Sequence, residues 1–80
     1  MGEDPASGGH GLSRPAKHSL TLRGHRTSVS LEDEFWQAFR EIAEAEAKTI
    51  NSLAAEIDEA RGDTGLASAI RLHVLRYYRA

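Results

Sequence analysis

Residues 26–31, Arg-Thr-Ser-Val-Ser-Leu, alternate in polarity and run directly into a helical pattern that begins Glu32-Asp33-Glu34-Phe35-Trp36. In an extended chain successive side chains point to opposite faces, so Thr27, Val29 and Leu31 share one face and Arg26, Ser28 and Ser30 the other. One face is apolar and the other carries hydrogen-bonding groups. A strand cannot satisfy its own backbone N–H and C=O groups, and the helical pattern that follows offers no partner strand. The simplest partner is a second copy of the chain. A two-stranded ribbon with a polar outer face is one of the shapes that the major groove of DNA admits.

The chain has 80 residues and no cysteine. That length makes one small domain, and domains of this size draw stability from disulfides, metals or association. Without thiols, disulfides and thiolate metal sites are excluded, leaving association as the expected source. No apolar run reaches the ~20 residues that span a bilayer, and the N-terminus lacks the apolar core of a signal peptide. The expected location is cytoplasmic, at the nucleoid, with no membrane contact.

The net charge of −2 conceals a polarised distribution. Residues 17–31 contain Lys17, Arg23 and Arg26 with His18 and His25, and no acid. Residues 32–63 are rich in Asp and Glu, and the tail turns basic again at Arg71, Arg76 and Arg79. A basic strand region on an acidic body directs one face toward a polyanion.

Residues 1–16 are rich in Gly, Ser and Pro and read as a disordered N-terminal arm, followed by a domain over residues 17–80. The strand is expected over about 18–31. Leu20 and Leu22 lie at even positions and Val29 and Leu31 at odd ones, so Gly24 marks either a bulge in one long strand or a tight turn between two, with the bulge the expected form. Helices are expected over about 32–47, 50–61 and 65–79. Phe35, Trp36, Phe39, Ile42 and Ala43 form the apolar stripe of the first, and Thr49 is an N-cap ahead of Ile50, Leu53, Ala54 and Ile57 in the second. Asp63 and Thr64 are candidate caps for the third, whose Leu66, Ile70, Val74 and Tyr77 recur at i, i+4 steps. Arg71 is placed to pair with an acid of the earlier helices.

The order of alternating strand, acidic first turn, aromatic stripe at Phe35, Trp36 and Phe39, short break and Thr49-Ile50-Asn51-Ser52 resembles the ribbon-helix-helix (Arc-repressor-like) superfamily of bacterial DNA-binding dimers. With Gly24-His25-Arg26-Thr27-Ser28 and Ser68-Ala69-Ile70-Arg71, it is similar to a subgroup of small bacterial members with an added third helix. The resemblance implies a mainly α fold in which one N-terminal strand pairs with that of a second chain in an intertwined homodimer. It implies a transcriptional regulator, acting as a repressor by occupying double-stranded DNA. Arg26, Ser28 and Ser30 would contact bases, while Lys48, Thr49, Asn51, Ser52, Arg23 and His25 would contact phosphate. Arg26 suits a bidentate contact to guanine, whereas the serines discriminate weakly. Thr27, Val29, Leu31, Trp36, Phe39, Ile50, Leu53 and Ile57 would form the dimer core.

Plainer readings stand beside these. The strand's polar face is also what a solvated, purely dimerising ribbon would show, and Thr49, Asn51 and Ser52 are ordinary capping residues. The four histidines, His10, His18, His25 and His73, do not stand at helical spacing with a second ligand, so no metal or cofactor is expected. No paired nucleophile and base and no glycine-rich phosphate loop point to catalysis. Arg76, Tyr77 and Tyr78 offer a surface for another protein, which gives the alternative of an antitoxin-like or adaptor dimer with weak or no DNA binding.

Overall fold

A computed structural model describes residues 14–80. The arm expected over residues 1–16 lies outside the described residues up to residue 13, and its last residue already belongs to a strand. The elements are β1 (Ala16–Leu22), β2 (His25–Leu31), α1 (Asp33–Ala45), α2 (Ile50–Ala60) and α3 (Leu66–Arg79).

The phase shift at Gly24 is a tight turn rather than a bulge. Arg23 and Gly24 have φ of 51° and 83°, and two consecutive positive φ values give the hairpin turn whose twist matches that of the flanking strands. Gly24 adopts this conformation without a Cβ penalty. β1 and β2 pair antiparallel from Leu22 opposite His25 to Ala16 opposite Leu31. The expected single strand over 18–31 is therefore a two-stranded hairpin, in which β2 pairs along one edge with β1 of the same chain.

Leu20, Leu22, Val29 and Leu31 form the inner face of this ribbon, and three helices cover it. α1 contributes Phe39, Ile42 and Ala43, α2 contributes Leu53, Ala54 and Ile57, and α3 contributes Ala69, Ile70 and Val74. Of the residues expected to form a dimer core, Val29, Leu31, Phe39, Leu53 and Ile57 are buried here within one chain, Trp36 and Ile50 pack half-buried against them, and Thr27 is exposed. β1 and α3 supply the apolar surface for which a second copy was expected.

The helix ends follow local chemistry. α1 stops two residues before the expected 47 because Ala47 adopts the left-handed conformation, φ 56°. Its N–H donates to the Glu44 carbonyl at 3.0 Å and that of Lys48 to the Ala43 carbonyl at 2.8 Å, the paired bonds of a Schellman cap. Glycine usually occupies this position, since a Cβ costs about 1–2 kcal/mol there. Part of that cost returns as unfolded-state entropy, so Ala47→Gly is expected to stabilise the chain by up to about 1 kcal/mol, read as a raised urea midpoint. Thr49 caps α2 as expected, its Oγ1 accepting the Ser52 N–H at 3.0 Å. Neither Asp63 nor Thr64 caps α3. Gly65 holds that position without a side-chain hydrogen bond.

Candidate nucleic-acid interface

The outer face of the ribbon is built from three cross-strand pairs, Lys17 with Ser30, Ser19 with Ser28, and Thr21 with Arg26. All six side chains are exposed. Arg26, Ser28 and Ser30 thus lie together, as expected, but β1 doubles the face with Lys17, Ser19 and Thr21. The signal for these three was present in the alternation of His18 to Leu22, which buries Leu20 and Leu22 and must turn the intervening residues outward. Among the described residues neither Lys17 nor Arg26 forms an ion pair, and residues 14–31 contain no acid. The face therefore offers two cations and four hydroxyls to an anionic surface.

The N-terminus of α2 is fastened to one edge of this ribbon. Thr21 N–H, which points out of the hairpin at β1's free edge, donates to Asn51 Oδ1 at 3.0 Å. Asn51 thereby blunts an edge that would otherwise expose an unpaired backbone donor. The bond brings Asn51, with its neighbours Thr49 and Ser52 in the first turn of α2, to the free edge of β1. That helix end favours an anion through its dipole and its free donors.

The remaining expected phosphate contacts stand differently. Arg23, at the tip of the turn, reaches back to α2, donating to the Ala55 carbonyl at 3.1 Å and pairing with Asp58 at 3.5 Å and Glu59 at 3.2 Å. Lys48 bridges Glu56 at 2.8 Å and Glu46 at 3.3 Å. The Glu56 hydrogen bond, aided by Glu46, raises its pKa above the ordinary lysine value. Both cations are locally neutralised, Lys48 by acids two and eight residues away and Arg23 by a tertiary contact across more than thirty residues. His25 is exposed but shares the inner-face parity of Thr27, away from Arg26 and Ser28.

Behind the ribbon, Trp36 stacks on His18 with ring centroids 4.1 Å apart and planes 8° apart. This tethers α1 to β1 and gives Trp36 a packing role. Arg71 links α3 to the start of α1, with its Nη2 3.0 Å from Glu32 Oε1 and its guanidinium 5.8 Å from the Phe35 ring centroid. The Arg71 hydrogen bond, with a backbone N–H, holds the Glu32 carboxyl below the usual carboxylate range. Arg61, and less strongly Arg23, do the same for Asp58. A carboxyl whose folded pKa is depressed contributes stability that is complete above its unfolded value and disappears as pH falls through the folded one. Stability should therefore decline as pH drops below about 4–5, with the onset set by the ordinary carboxylate range. Arg71→Met should flatten that decline in urea midpoints measured across acidic pH, and an unchanged slope would refute the contribution of the Arg71–Glu32 pair.

Tyr77 and Tyr78 lie exposed at the end of α3, edge to face at 5.2 Å. Tyr77 is thus not the buried end of the helix stripe. Tyr78 Oη approaches Glu41 Oε1 at 3.4 Å, and Arg76 forms no ion pair among the described residues. No group of three or more His, Asp or Glu side chains among the described residues is placed to hold a metal ion. No helix among them is long and apolar enough to cross a membrane.

The family model described as ribbon-helix-helix domain matches residues 15–78, most of the chain. The match begins just ahead of β1 and ends within the last turn of α3, so hairpin and third helix both belong to the matched unit. Comparison with curated proteins and with solved structures gives no match.

Proposed function

The chain belongs to the ribbon-helix-helix domain family, in general one of non-enzymatic DNA-binding transcriptional regulators that dimerise, and from that premise we propose that its hairpin enters the major groove of double-stranded DNA outer face first. The observation that carries this reading is the acid-free face of Lys17, Ser19, Thr21, Arg26, Ser28 and Ser30 on a ribbon complete within one chain. Two strands about 4.8 Å apart, with their side chains, suit a groove about 12 Å wide. Arg26 reads a guanine through its two-pronged donor set, and Ser28 and Ser30 make adaptable contacts to neighbouring base edges. Lys17 and the N-terminus of α2, through Thr49, Asn51 and Ser52, hold phosphate and set register. Arg23, His25 and Lys48 lie nearer the rim, where Arg23 and Lys48 must exchange carboxylate partners for phosphate before they add affinity.

As a homodimer, the protein would occupy an operator as a repressor in the cytoplasm, at the nucleoid. Selection from random duplexes with the full chain, followed by salt titration of the enriched sequence, tests this. The expected winner is a pair of related half-sites at fixed spacing, with affinity falling steeply as salt rises. Failure to enrich any sequence, together with affinity independent of salt, would overturn the reading.

A further inference from the structure

α3 packs on α1, α2 and the inner side of the ribbon through Ala69, Ile70 and Val74. At about 100° per residue the opposite side of the helix carries Ser68, Leu72, Leu75, Arg76 and Arg79 in one stripe, and all five are exposed. Leu72 and Arg76 stand one turn apart, as do Leu75 and Arg79, so each leucine has an arginine directly beyond it toward the C-terminus. All the exposed large hydrophobic residues among those described lie on this helix, Leu72 at 41% and Leu75 at 47%, together with Tyr77 and Tyr78. Clustered exposure of this kind marks an interaction surface, whereas scattered apolar residues do not.

Between α2 and α3, beside Leu72, runs a groove of about 230 Å³ whose lining includes Ile57, Ala60, Ala69, His73 and Arg76. It falls below the volume of about 300–1,000 Å³ usual for a small-molecule site. An apolar void of about 150 Å³ already takes a benzene-sized group, so the groove has room for one large apolar side chain. The charge beside it has one sign. Residues 64–80 contain Arg71, Arg76 and Arg79 and no acid. Arg71 is held by Glu32, while Arg76 and Arg79 form no ion pair among the described residues. The helix dipole alone favours arginines at this end, but it gives no reason for two half-exposed leucines next to them.

We propose that this stripe docks an acidic amphipathic helix of a different protein. One large apolar side chain of that helix fills the groove, others cover Leu72 and Leu75, and the Glu or Asp side chains flanking them pair with Arg76 and Arg79. Recognition of this kind lays a helix in a groove through apolar anchors at i, i+3 or i+4, and i+7. A second copy is a poor occupant of the same face. A two-fold contact sets a patch against itself, which here would bring the arginines of both copies together with no acid between them. Nucleic acid is also a poor occupant, since phosphate would answer the arginines and leave Leu72 and Leu75 without apolar contact. The outer face of the ribbon points away from the helices, so a partner on α3 leaves it free. The docking surface stands whether or not that face binds DNA.

Fluorescence anisotropy of the full chain with a labelled helical peptide of about 18 residues, five turns, tests this. The peptide carries Leu at i, i+3, i+4 and i+7 and Glu at the flanking positions. One control exchanges every Glu for Lys and another scrambles the order. The Glu peptide is expected to bind saturably and about tenfold more tightly than either control. Leu72→Ser with Leu75→Ser, which leaves the charge unchanged, should weaken it about tenfold, as loss of central anchors does. Arg76→Glu with Arg79→Glu alters only exposed side chains and should reverse the preference in favour of the Lys peptide, with the helical circular dichroism spectrum retained. Absence of saturable binding by the Glu peptide, equal binding by the scrambled one, or a preference unmoved by the arginine exchange overturns the proposal. So does sedimentation velocity in which the leucine substitutions dissociate a dimer, which assigns the face to a second copy. A DNA duplex that displaces the bound Glu peptide assigns it to nucleic acid and overturns the proposal as well.

Discussion

Phe39→Ala is expected to destabilise the chain by about 3–5 kcal/mol, the range for truncating a fully buried aromatic side chain. Phe39 has no exposed surface and belongs to the buried cluster that joins α1 to the inner face of the ribbon and to α3, with Leu31, Ile42 and Ile70 among its other fully buried members. Its ring also neighbours Trp36, at 5.6 Å between centroids, and Trp36 in turn stacks on His18 of β1. Truncation therefore opens a cavity in the buried cluster shared by ribbon and helices. A domain of this size has about 4–12 kcal/mol of stability in total, so the variant loses a large share of it and its thermal midpoint should fall steeply. Urea denaturation followed by circular dichroism measures the loss. A loss below about 1 kcal/mol would show that the single-chain core is not the one that holds the fold together.

Arg26→Ala is expected to weaken binding to the selected duplex by about 1–3 kcal/mol and to relax base preference at one position of each half-site. Arg26 is exposed, is not neutralised by an acid among the described residues, and stands opposite Thr21, whose N–H anchors α2. Its loss removes a directional donor pair from a face otherwise made largely of hydroxyls. Lys17→Ala should instead weaken binding to all sequences and reduce the salt slope by about one unit, as loss of a phosphate contact does. Lys48→Ala should have a smaller effect than Lys17→Ala, because Lys48 already bridges Glu46 and Glu56. Competition titrations with matched and single-mismatch duplexes separate these outcomes. Unchanged affinity and unchanged discrimination in Arg26→Ala would sink its base-reading role.

Local chemistry made much of this fold legible in the sequence. The alternation over 26–31 marked β2, the aromatic stripe marked α1, and Thr49 marked the start of α2 within a residue. The hairpin is not legible because Arg23-Gly24 is not one of the common two-residue turn pairs, and the phase shift at Gly24 suits a bulge equally well. That single ambiguity hid β1 as a separate strand, and with it the outward-facing Lys17, Ser19 and Thr21. The ion pairs of Arg23 are not legible in the sequence for another reason: Arg23 meets Asp58 and Glu59 only after the hairpin folds back on α2. By contrast, the acid-free character of residues 14–31 is a property of composition and survives every change of topology.

The most direct test of the central claim is a titration of ¹⁵N-labelled protein with the selected duplex, followed residue by residue in amide NMR spectra. The account predicts that the largest shifts fall on Lys17, Ser19, Thr21, Arg26, Ser28 and Ser30 and on the first turn of α2 at Asn51 and Ser52, while Leu72 and Leu75 of α3 change little. Shifts concentrated on α3, with the outer face of the hairpin unmoved, would contradict it.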